Sequence, residues 1–148
     1  MAFPLGFRRI CDAAVVVKIG GSEEVSQMKV LVCGSRNWTD GTRIWEALDL
    51  LKPDEIIEGC ARGADHWAEL WAEDRRVPIQ HFPADWYRFG PAAGPQRNEM
   101  MLARGKPDVV VAFSMGTKGT ADMIHRAGEA RVPINVYFDK PFEVADVG

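Results

Sequence analysis

Long apolar runs are missing from this chain. The longest near the start, Ala13 to Val17, falls far short of the roughly 20 residues that a membrane-spanning helix needs. No small-residue cleavage site follows it, so neither a membrane anchor nor a secretory signal is expected. Cysteine is scarce. Cys11, Cys33 and Cys60 have no metal-type spacing and make no disulfide framework, which points to reduced thiols in a cytoplasmic protein. Cys33 and Cys60 fall at the ends of apolar segments, where a small packed residue is expected. Positive charge is not in excess either. The formal net charge of -3 lacks the basic stripe of a phosphate-backbone binder, so nucleic acid is a poor partner for this chain. His66, His81 and His125 show no metal-ligand spacing, and neither a metal nor a resident cofactor is expected.

What is present is enough apolar residue for a core: 47% of 148 residues, one domain's worth of chain. From Met28 onward, apolar strand patterns alternate with helical ones. The strands are expected at Lys29 to Cys33, Glu55 to Glu58, Pro78 to Phe82, Asp108 to Phe113 and Pro133 to Tyr137. Thr39 or Asp40 caps a helix that carries Ile44, Leu48 and Leu51 on one face and stops at Pro53. Asp65 caps a second helix with an apolar stripe of Ala64, Trp67, Ala68, Trp71 and Ala72. Phe89 to Pro95 reads as a Gly/Pro-rich loop, followed by a helix from about Gln96 to Arg104 with Met100, Met101 and Leu102 turned inward. The last helix is expected over Thr120 to Ala130. This order predicts an α/β, Rossmann-like three-layer sandwich whose five-stranded parallel sheet has the order 3-2-1-4-5. Residues 1–27 read as an N-terminal extension, either loosely packed or contributing an edge strand from Ala13 to Ile19. Residues 28–138 form the domain and 139–148 a tail.

Three of these strands end in Gly-rich polar turns. Gly34-Ser35-Arg36 follows the first, Gly59 to Asp65 the second, and Met115 to Thr120 the fourth. Ligands of open α/β sheets sit beyond the carboxyl ends of strands, and the expected order sets the first and fourth turns on either side of the switch point. Small residues that open a helix let backbone N–H groups approach an anion. The expected phosphate contacts are Gly34, Ser35, Arg36, Arg62, Gly63, Gly116, Thr117, Gly119 and Thr120, with Arg97 and Asn98 from the third helical segment. Arginine suits the role because its planar guanidinium grips two phosphate oxygens at once. Asp65 is a cap with a possible ribose contact. Asp85 is either a ribose or base acceptor or an Asx-type turn, and Trp86 either a stacking surface or a lid.

The motifs GSR (Gly34 to Arg36), ARGAD (Ala61 to Asp65), FPADW (Phe82 to Trp86), GPQRN (Gly94 to Asn98) and GTKGT (Gly116 to Thr120) together resemble the YspA-type, YpsA-related group of the SLOG superfamily, over Met28 to about Tyr137. The resemblance implies a Rossmann-like fold of a kind found in phages and bacteria, which binds nucleotides or nucleotide-derived signals as a sensor or carrier. It also implies pairing into a homodimer through helices, here with Trp67 and Trp71. More distantly the chain is similar to the Lonely Guy phosphoribohydrolases and to the DNA-processing protein DprA. The hydrolase motifs are altered: Asn98 stands where lysine is expected and Met123 where the glutamate is. An N-glycosidase acting on nucleoside 5'-monophosphates would then have to draw its carboxylate from Asp122 or Glu99.

Overall fold

The computed structural model describes residues 14–19 and 22–139. The segments 1–13 and 140–148, with Cys11 and most of the tail, lie outside the described residues. The first two strands, β1 (Ala14–Ile19) and β2 (Ser22–Gln27), pair antiparallel in a sheet of their own.

The main sheet is built from β3 (Lys29–Gly34), β4 (Glu55–Glu58), β5 (Ile79–His81), β6 (Val109–Ser114) and β7 (Ile134–Phe138). All four pairings are parallel, and the spatial order β5-β4-β3-β6-β7 is the expected 3-2-1-4-5. Because strand side chains alternate between faces, the unbroken apolar runs supply two cores. Val30, Val32, Ile56, Val109, Val111 and Phe113 pack with α1 (Gly41–Leu51) and α2 (Ala64–Arg75). Leu31, Cys33, Ile57, Val110 and Ala112 form the other core with Met101, Met123 and Ala127. Those last three belong to α4 (Ala93–Gly105) and α5 (Lys118–Glu129). Backbone N–H groups at the start of the central strand donate to carboxylates of its neighbours, Met28 to Asp54 at 2.7 Å and Lys29 to Asp108 at 2.8 Å. Among the described residues no helix is long and apolar enough to cross a membrane.

Four expectations need correction. The segment Phe89 to Pro95 is not a loop: α3 (Trp86–Phe89), a 3-10 turn (Gly90–Ala92) and the start of α4 run through it. Pro91 and Pro95 are tolerated there because each occupies a first turn, where its missing N–H has no intrahelical acceptor to lose. Met100 is exposed, whereas Met101 is buried and Leu102 packs beside it; three consecutive residues span about 200° of a helix and cannot share one face. Gly63, not Asp65, is the N-cap of α2. Cys60 is exposed, with φ 60°, and is no core residue, while Cys33 is buried as expected.

Candidate functional site

The turns after β3, β4 and β6 converge with the start of α4 on one cleft of about 350 Å³, a size that suits a small-molecule ligand. Its lining includes Gly34, Ser35 and Arg36 from the first turn, Ala61 and Asp65 from the second, and Thr117, Lys118, Gly119 and Thr120 from the start of α5. Trp86, Gly94, Arg97 and Asn98 close it from the α3 and α4 side. A smaller adjoining hollow of about 250 Å³ shares Arg36, Ala61, Trp86 and Arg97 and adds Arg62. Gly63 and Gly116 line neither of them.

The turns are fastened to one another. The Ser35 N–H donates to the Phe113 carbonyl at 3.0 Å, and the Ser35 carbonyl accepts from Ala64 N–H at 3.3 Å. Gly34 allows this approach, since a Cβ there would stand 2.6 Å from both Ala64 Cβ and the Phe113 carbonyl oxygen. Asp65 organises the second turn from inside: its Oδ2 accepts from Gly59 N–H at 3.0 Å and Ala61 N–H at 3.2 Å. Asn98, also buried, donates from Nδ2 to the Gly119 carbonyl at 3.2 Å and to Asp122 Oδ2 at 3.0 Å, fixing α4 against the start of α5. Arg97 uses Nη1 on the Gly59 carbonyl and Nε on Asn98 Oδ1, and its Nη2 has no hydrogen-bond partner among the described residues.

The start of α5 is suited to an anion. Its N-cap, Thr117, makes no side-chain capping bond; the hydroxyl meets that of Thr120 at 3.1 Å instead. The first-turn N–H groups of any helix lack intrahelical acceptors and carry the positive end of its dipole. Gly119 keeps the approach open, for a Cβ there would meet nothing within 4 Å. Arg36, Arg97 and Lys118 line the same cleft against a single acid, Asp65. Lys118 is the cleft residue that the sequence reading lacks; its signal is a cation inside GTKGT, between the glycines and threonines that open the helix.

Trp86 is 47% exposed, with the Arg36 guanidinium 5.1 Å from its ring centroid and Gly94 against its edge. Asp85 caps α3, accepting from Arg88 N–H at 3.0 Å, and lines neither cavity. The two carboxylates that hydrolysis would draw on, Asp122 and Glu99, line neither cavity. Asp122 Oδ2 is held by Asn98 and by Arg126 Nε at 2.8 Å, and Glu99 is an exposed partner of Arg126. Met123 is fully buried in the core, so a carboxylate placed there would be desolvated. Trp71 is covered within the chain, its indole N–H donating to Asp49 at 2.9 Å, while Trp67 is only partly buried.

Burial, followed by the negative charge of Glu58, pushes the Asp65 carboxyl up to about 7, against the lowering effect of Arg97. A folded-state value above the unfolded one means that the folded chain holds a proton the unfolded chain has released. Stability from this group is complete below about pH 4 and is lost as pH rises toward 7. Asp65→Asn preserves an acceptor for the two N–H groups but cannot ionise. Urea melts from pH 4.5 to 8.5 should show the wild type losing stability relative to the variant up to about pH 7, with a constant difference above it. Parallel pH profiles for the two proteins would refute this assignment.

An open five-stranded parallel sheet with helices packed on both faces defines the Rossmann-like class of α/β folds. Sequence comparison makes the assignment narrower. The model of the YspA, cpYpsA-related SLOG family matches residues 28–89. The chain is also 38% identical, over 124 residues, to the "Gene 61 protein" of Mycobacterium phage D29, covering 76% of this chain and 98% of the phage protein. The chain belongs to the YspA, cpYpsA-related SLOG family.

Proposed function

We propose that this protein binds a nucleotide or nucleotide-derived small molecule at the C-terminal edge of the main sheet, as a sensor or carrier. The observation that carries the reading is the single cleft in which the open start of α5 meets Arg36, Arg97 and Lys118. A phosphate would take N–H groups of Thr117 to Thr120 and the guanidinium of Arg97, and Trp86 would offer a face to the base. Native mass spectrometry of freshly purified protein, followed by calorimetry against a nucleotide panel, tests this. Retention of a phosphate-bearing metabolite supports the reading; a panel without any binder removes it. Homodimer formation belongs to the same reading, with the partly exposed Trp67 face of α2 as its aromatic surface. Light scattering that gives a monomer from micromolar to near-millimolar protein would remove that part.

A second reading, N-glycosidic hydrolysis, is favoured by one observation: a cleft carboxyl, Asp65, pushed up to about 7 is suited to general-acid catalysis near neutral pH. Incubation with nucleoside 5'-monophosphates separates the two readings. Free base released by the wild type and lost in Asp65→Asn makes the protein an enzyme; unchanged nucleotide keeps it a binder.

A further inference from the structure

Glu58 and His81 are 23 residues apart in sequence, yet they are register partners on the adjacent parallel strands β4 and β5. The chain turns just beyond Glu58, bringing Cys60 back over the strand end in a left-handed conformation. Three different donor atoms meet there. Cys60 Sγ lies 3.4 Å from Glu58 Oε1 and 3.5 Å from His81 Nδ1, and that same nitrogen contacts that same oxygen.

A nucleophilic relay does not have this form. In a Cys-His-acid relay the two imidazole nitrogens face different partners, one the nucleophile and the other the acid. Here thiol and carboxylate both face Nδ1, so the imidazole cannot pass a proton from one to the other across its ring. Convergence of sulfur, nitrogen and oxygen on one point is how ligands surround a shared cation. Tetrahedral zinc, with Zn–S about 2.3 Å and Zn–N or Zn–O about 2.0–2.2 Å, separates the sulfur from each other ligand atom by about 3.5 Å. Both sulfur edges of the cluster match, and only the nitrogen–oxygen edge would have to open.

The electrostatics agree with the geometry. Glu58 is fully buried, and among the described residues its one ion-pair partner is His81, with no lysine or arginine. The carboxyl of Asp65, also buried, lies close enough to feel its charge. A buried acid with no lysine or arginine beside it favours a cation. We propose that Glu58, Cys60 and His81 bind one zinc-type divalent transition-metal ion beside the cleft. A thiolate with an imidazole and a carboxylate selects zinc or cobalt(II) over magnesium or calcium; on binding, the thiol proton and the proton shared by His81 Nδ1 and Glu58 leave to solvent, with the neutral imidazole keeping its proton on Nε2. Cys60 borders the hollow lined by Arg62, Arg97 and Trp86. The fourth position would therefore be filled from that side, by water or by an oxygen of a bound phosphate. The sequence conceals this site because its spacing exists only across the β4–β5 pairing.

The test uses the full chain, stripped with EDTA, without nucleotide, so its outcome is independent of the reading above. After dialysis against zinc, elemental analysis should find one equivalent per chain. Cobalt(II) titration should give a thiolate-to-metal charge-transfer band and tetrahedral visible bands. Cys60→Ser and His81→Ala should each weaken retention tenfold or more, whereas Cys11→Ser and His125→Ala retain it. Melting each variant in EDTA shows that it folds, and zinc should raise the Tm of the wild type but not of Cys60→Ser. Less than a tenth of an equivalent on the wild type, absence of the thiolate band, or full retention by Cys60→Ser overturns the proposal; the first two need no variant to fold.

Discussion

Gly119→Asp is expected to abolish nucleotide binding without harming the fold. Gly119 is the second residue of α5, and a Cβ there meets nothing within 4 Å, so the folded chain has room for the side chain. An acidic residue in the first turn also complements the helix dipole, worth about 0.3–1 kcal/mol. Thermal melts should show the Tm unchanged or slightly raised. Binding should respond in the opposite sense, because the new carboxylate stands where a phosphate must approach the first-turn N–H groups. Juxtaposed like charges cost several kcal/mol, so the loss should exceed about a hundredfold. Gly128→Ala is the control, being on the same helix with equally open surroundings and outside the cleft; it should leave affinity unchanged. Calorimetry with the nucleotide retained by the wild type gives the answer, and near-normal affinity in Gly119→Asp would move the phosphate away from α5.

The sheet was legible because its central strands are buried on both faces, which writes unbroken apolar runs such as Val109 to Phe113 into the sequence. Gly-rich turns after three of those runs marked the crevice for the same reason: strand order follows from the alternation of elements, and turns at carboxyl ends then share an edge. What failed was information that depends on side-chain direction. Asp65 has the residue type and position of a helix cap, but Gly63 begins the helix and the carboxylate turns inward to the Gly59 and Ala61 N–H groups. Asp122 follows a glycine-threonine pair at the start of a helix, yet Asn98 and Arg126 hold it. Glu58 is a charged residue at a strand end and yet is fully buried, and its partner His81 is set by sheet register, which no local spacing expresses. Glycine and proline around residue 90 misled for a different reason, since first-turn positions of short helices accept both.

Gly63→Ala should cost about 3 kcal/mol of stability, and a second glycine allows the cause to be separated. Gly63 has φ 75° and ψ -124°, and Gly90 has φ 55° and ψ -136°, so both occupy a region that L side chains rarely adopt. Their surroundings differ completely. At Gly63 a Cβ would stand 2.2 Å from the Ser35 carbonyl oxygen and 2.7 Å from the backbone of Arg36, whereas at Gly90 it would meet nothing within 4 Å. Gly90→Ala therefore measures the backbone strain alone, about 1 kcal/mol, and the excess at Gly63 measures the collision. That collision cannot be relieved by a rotamer change, because the obstructing atoms are backbone of the turn that carries Arg36. Either the Ala64 N–H to Ser35 carbonyl bond lengthens or the whole turn moves, and both pull the first turn of the cleft away from the second. Urea melts of the two variants should differ by about 2 kcal/mol, and Gly63→Ala alone should also weaken ligand binding, since only its strain is passed to Arg36. Equal costs for the two substitutions would mean that the turns after β3 and β4 are not rigidly tied and that the cleft is shaped elsewhere.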